Sequence, residues 1–120
     1  MLLYLKISLS YIGYGLLYNR GMTTQAHVYV IGDVIGVGFR AWTKIQAKQL
    51  GIVGWVRNVF TKPEVFGNSG GVEAIVQGEE EKVEAMVARL QDGSPVSRVD
   101  DIQVYWQKPQ DIMEIFEIRK

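Results

Sequence analysis

The hydrophobic period of this sequence changes at Gly36-Val37-Gly38-Phe39-Arg40, and that change most constrains how the chain can fold. Before it, Val28, Val30 and Val34 alternate with His27, Tyr29 and Asp33, the period of two of a half-buried strand. After it, Phe39, Thr43, Ala47 and Leu50 share one face at 100° per residue, with Lys44 and Lys48 opposite. The spacing therefore predicts a helix over Ala41 to Leu50, stopped by Gly51. Trp42 and Ile45 fall off its apolar stripe. Two glycines in three residues permit a tight strand-to-helix turn whose amides, with those opening the helix, could converge on an anion. Arg40 adds a planar, permanently charged fork suited to phosphate oxygens.

The remaining chain repeats the same two periods. Ile52 to Phe60 reads as a second strand, with Ile52, Val56 and Phe60 on one face and Asn58 interrupting it. Val72, Ala74 and Val76 mark a third. Glu79 to Leu90 is a helix with an acidic first turn, an apolar stripe of Val83, Met86, Val87 and Leu90, and Gly93 beyond it. Ile102, Val104 and Trp106 mark a fourth strand ended by Pro109, and Ile112 to Ile118 could add a fifth along an edge. The expected architecture is α+β: a ferredoxin-like βαββαβ sandwich, with an antiparallel four- to five-stranded sheet and two helices on one face. The irregular connection Thr61 to Gly71 reads as a surface insertion, although Val65 and Phe66 could extend the hairpin, cover part of the core or border a cavity.

With 120 residues, residues 22–120 are expected to form a single domain. Residues 1–21 are expected to be an extension outside the fold, or to lie upstream of a true start at Met22. They are rich in Leu, Ile and Tyr, but Lys6, four tyrosines, Ser8, Ser10, Gly13 and Gly15 interrupt the run, so neither a signal peptide nor a membrane anchor is expected. Thirteen basic and thirteen acidic side chains balance, which argues against a dedicated nucleic-acid binder. There is no cysteine, which excludes disulfides, thiolate catalysis and thiolate-held metals and fits a cytoplasmic setting.

Gly36-Val37-Gly38-Phe39-Arg40-Ala41 also matches G-x-G-x-x-A, the dinucleotide fingerprint. That reading needs an acid about 20 positions later to hold a ribose, and none stands before Glu64. A Walker loop fails as well, because no Gly-Lys-Ser/Thr follows. A cradle for one phosphoryl group and a plain glycine-rich turn remain. Asn58 favours the cradle, since a polar amide in an apolar row needs a partner, either a loop carbonyl or a water in a cavity.

Taken together, Gly32, Val34, Gly36-Val37-Gly38-Phe39-Arg40, Ala47, Leu50-Gly51, Gly54-Trp55-Val56-Arg57-Asn58 and Val72-Glu73 resemble the acylphosphatases. The resemblance covers His27 to about the C-terminus. It implies hydrolysis of the carboxyl–phosphate bond of an acyl phosphate, releasing inorganic phosphate. In that family Arg40 corresponds to the phosphate-binding arginine, Asn58 to the asparagine that orients the attacking water, and the amides of Gly36, Val37, Gly38, Phe39 and Arg40 to the phosphate loop. No metal, cofactor, nucleic acid or membrane is implied, and a cytoplasmic monomer is expected. Ile35 stands where the family commonly has glutamine, and the connection from Asn58 to Val72 is longer than the family's usual tight turn. The competing reading is a non-catalytic ferredoxin-like module that senses an anion through the same loop or binds a partner at a sheet edge.

Other candidates are weaker by their positions. His27, the only histidine, begins a strand and reads as structural or exposed. Glu79-Glu80-Glu81 reads as a solvated first helical turn, and Asp100 and Asp101 point to opposite faces of a strand; Arg57 could support the site, but its alternate register suggests a surface role.

Overall fold

A computed structural model describes residues 23–120; the expectations for residues 1–21 lie outside the described residues. Five strands and three helices follow in the order β1 (Thr23–Asp33), α1 (Phe39–Leu50), β2 (Val53–Val59), α2 (Pro63–Phe66), β3 (Gly71–Glu79), α3 (Glu80–Asp92), β4 (Arg98–Gln107) and β5 (Phe116–Arg119). The sheet order is β4-β1-β3-β2-β5. β1 lies antiparallel between β3 and β4, and β2 lies antiparallel to β3. This is the expected ferredoxin-like α+β sandwich.

The alternation of the strands puts Ala26, Val28 and Val30 of β1, Val72, Ala74 and Val76 of β3, Val56 of β2, and Ile102 and Val104 of β4 into one buried core. α1 closes that core with Phe39 and Ala47, and α3 with Val83, Met86, Val87 and Leu90. Thr43 fits the same stripe because its hydroxyl donates to the Phe39 carbonyl at 2.8 Å, which satisfies its one buried polar group. Trp42 packs on Phe39 with ring centroids 5.2 Å apart, whereas Ile45 is exposed.

Four details depart from the sequence reading. The sheet is mixed rather than antiparallel, because β5 pairs with β2 in parallel. β4 and β5 occupy opposite edges, so the chain reverses and crosses the end of the sheet between them. A reversal of β4's direction is the direction of β2. Gln77 pins this crossing segment: its side-chain amide donates to the Asp111 carbonyl at 2.6 Å and accepts from the Met113 amide at 3.0 Å.

Phe60 does not share the Val56 face. β2 ends at Val59, and Phe60 is 69% exposed just beyond it. The connection after it contains a short helix, α2, whose Phe66 is buried. Phe66 lies edge-on to Tyr29 at 5.7 Å and covers Gly71, where any Cβ would collide with its ring. The insertion therefore caps part of the face that carries no long helix. Finally, α1 begins at Phe39, two residues earlier than expected.

Candidate active site

The turn between β1 and α1 is built by backbone conformation. Gly36 has φ of 80° and Gly38 has φ of 75°, values in the left-handed region that side chains disfavour. A Cβ at either position would meet no other atom within 4 Å, so these glycines serve the turn and leave open space beside it. Phe39, the next residue, is fully buried. Burial of an aromatic ring of this size contributes about 1.5–3 kcal/mol, enough to hold the turn against the core.

α1 then starts unusually bare. Its N-cap is Gly38, with no side-chain cap, and its first turn holds no acid. The first amides of a helix have no intrahelical acceptor, and their dipole end is positive. Arg40, half-buried in this turn, reaches across to β5, where its Nη1 donates to the Arg119 carbonyl at 3.1 Å. A guanidinium carries five donors, and this contact uses one. Among the described residues, no carboxylate forms a salt bridge with Arg40.

These features surround a cavity of about 180 Å³ lined by Val34, Gly36, Gly38, Phe39, Arg40, Ala41, Asn58 and Ile118. The turn, the guanidinium and Asn58 thus come from separate elements onto one small space. Asn58 is half-buried on β2, opposite Val72 of β3, on the face shared with Val56. Of the five loop residues expected to hold a ligand, Val37 alone does not line the cavity; its side chain packs against the core. Phe39 contributes its position in the chain, since its ring is buried.

The contribution of β5 could not be read locally. Ile118 walls the cavity and the Arg119 carbonyl fixes Arg40, yet a short edge segment carries no signal of which strand it will join.

The other ionisable candidates lie elsewhere. His27 and Arg57 both pair with Glu73 on the sheet face away from the long helices. The His27 Nε2–H donates to Glu73 at 2.6 Å and the Arg57 Nε–H at 2.7 Å. Burial alone would raise the Glu73 carboxyl, but these two hydrogen bonds outweigh it and hold the group below its ordinary range. Arg57 is thus a partner of Glu73 and does not line the cavity. In the acidic run, Glu79 and Glu81 are exposed, while Glu80 is half-buried rather than fully solvated. Desolvation, followed by the neighbouring Glu84 and Glu81 charges, pushes Glu80 up to about 7. Asp100 pairs with Arg98 at 3.0 Å, and Asp101 accepts from the Ile102 amide at 2.9 Å.

Comparison with known proteins agrees with the geometry. The family model described as Acylphosphatase matches residues 26–118. The chain is 49% identical over 77 residues to an acylphosphatase of Rhizorhabdus wittichii, covering 64% of this chain and 70% of that protein. It is 40% identical over 86 residues to one of Thermococcus kodakarensis, covering 72% and 86%. The crystal structure of acylphosphatase from Bacillus subtilis superposes with a TM-score of 0.71 at 31% identity, covering 81% of this chain and 99% of that one. With a family model matched over residues 26–118 and relatives of this identity and coverage, the chain belongs to the acylphosphatase family.

Proposed function

We propose that this chain hydrolyses acyl phosphates to a carboxylate and inorganic phosphate. The observation that carries the reading is the shared cavity: an uncapped helix start with two left-handed glycines, an arginine with no carboxylate partner among the described residues, and an asparagine face one small space.

The substrate's three charged phosphoryl oxygens sit against the amides of the Gly36–Arg40 turn, with the Arg40 guanidinium as the cation. The Asn58 side-chain amide accepts from one water and aims its oxygen in line with the phosphorus–oxygen bond to the acyl group. Attack by that water forms the new P–O bond as the bond to the carboxylate oxygen breaks. The leaving carboxylate takes the bonding pair, and the water's proton passes to a phosphoryl oxygen or to solvent.

A carboxylic acid has a pKa of roughly 4, so the leaving group departs as an anion without a general acid. Positioning and charge stabilisation are then the protein's main tasks, as in phosphoryl transfer generally. Neither step calls for a histidine–carboxylate pair, a metal or a cofactor, and the reading is of a cytoplasmic monomer. No helix among the described residues is long and apolar enough to cross a membrane.

Release of phosphate from a synthetic acyl phosphate in the presence of EDTA tests the reading. Turnover is expected. Phosphate binding without turnover would instead establish an anion-sensing module.

A further inference from the structure

The cavity of about 180 Å³ is small for a whole substrate, since small-molecule sites usually run to about 300–1,000 Å³. It suits a phosphoryl group, and the acyl part must extend over the rim. Ile35 and Phe60 do not line the cavity, but each stands within two residues of one that does. Ile35 immediately precedes Gly36 of the turn, and Phe60 stands two residues beyond Asn58. A Cβ placed on Gly70 would lie 3.1 Å from Ile35 Cδ1 and 3.3 Å from Phe60 Cδ1, so the two side chains converge over that glycine. Phe60 is nonetheless 69% exposed. Phe60 lies just past the end of β2, two residues from the cavity-lining Asn58.

We infer that Ile35 and Phe60 form an acyl subsite that favours substrates with an aryl or extended alkyl group over small acyl phosphates. This rests on the hydrolase reading above. An aromatic ring offers a flat apolar face to an aryl group, and Ile35 supplies the floor beside it. The insertion is what builds the lip, because Gly70 brings residues 61–71 back against Ile35. Ile118, which is 42% exposed and lines the cavity from β5, is the competing wall.

The test compares kcat/KM for benzoyl phosphate and acetyl phosphate, with the inhibition constant of inorganic phosphate measured alongside, in the parent chain and in Phe60→Ser, Ile35→Gln and Ile118→Ser. The parent is expected to favour benzoyl phosphate at least tenfold. Phe60→Ser and Ile35→Gln are each expected to lower that ratio at least fivefold, mainly through KM, with phosphate inhibition within twofold of the parent. Phe60 is exposed, so its substitution does not threaten folding, and a thermal melt checks this. An unchanged ratio in both variants overturns the subsite, as does a ratio lost only in Ile118→Ser. Failure of the parent to turn over either substrate overturns the hydrolase reading itself, and the subsite with it.

Discussion

The two long helices start in opposite ways. α1 begins with Gly38 as its N-cap, has no acid in its first turn, and carries Arg40 there. α3 begins after Glu79 and has Glu80 and Glu81 in its first turn. Both helices pack on the same face of one sheet and expose the same kind of positive dipole end. α3 neutralises that end with its own carboxylates. α1 has no acid in its first turn and carries a cation there, the arrangement that the proposed function reads as an anion site. On the proposed function, charge placement at a helix start would separate a structural terminus from a binding one within one small fold.

The largest effect should come from removing the cation. Arg40→Ala is expected to lower kcat/KM for an acyl phosphate by at least about a thousandfold, the scale of an arginine that stabilises a transferring phosphoryl group. It should also abolish measurable inhibition by inorganic phosphate. If phosphate still bound with the parent affinity, the turn amides alone would be the anion site. Asn58→Ala should be next, with kcat down by about 100- to 1,000-fold, the usual cost of one lost positioning or stabilising group. Its phosphate inhibition constant should stay within a few fold, because the cradle is intact. Turnover of Asn58→Ala at the parent rate would defeat the assigned role.

Making α1 resemble α3 tests the comparison directly. Ala41 is exposed in the first turn of α1 and borders the cavity. Ala41→Glu should weaken phosphate inhibition by about tenfold, from like-charge repulsion across a few ångströms. The same change should raise the melting temperature by about 1–2 °C, because an acid there suits the dipole. Opposite movement of binding and stability is the signature; a parallel loss of both would mean simple disruption.

The smallest effect belongs to α3. The folded pKa of Glu80 rises from its ordinary 4.5 to about 7, so the folded state binds this proton more tightly than the unfolded one. Its contribution is therefore fully present below about 4.5 and is lost as pH rises to about 7. Solvent screening of this half-exposed group limits the effect to about 1 kcal/mol or less. Melting curves between pH 5 and 8 should show a shallow decline that Glu80→Gln removes. Glu73 acts in a different window with the opposite sign. Its lowered pKa stabilises the fold above about 4.5, and that contribution is lost as pH falls below it.

Much of this was legible locally. The α3 stripe of Val83, Met86, Val87 and Leu90 is buried as its spacing demands, and the Phe39, Thr43 and Ala47 face of α1 likewise. A helix face is a property of consecutive residues, so the sequence carries it. Phe60 was misplaced because alternation cannot report where a strand stops, and β2 stops at Val59. Phe66 was ambiguous because its partners, Tyr29 and Gly71, come from two distant strands. His27 reads locally as structural or exposed and Arg57 as a surface residue or a support of the site, and no local pattern discloses that both converge on the buried Glu73.

By itself the sequence determined the glycine turn, the bare start of α1, the cation at Arg40 and the polar break at Asn58, because each depends on residue type at short range. Tertiary structure decided that these parts share one cavity, that the β5 backbone holds Arg40, and that Ile35 and Phe60 meet over Gly70. Those relations join residues up to 79 positions apart. Chain reversal and sheet order create them, and neither is encoded in the neighbourhood of any single residue.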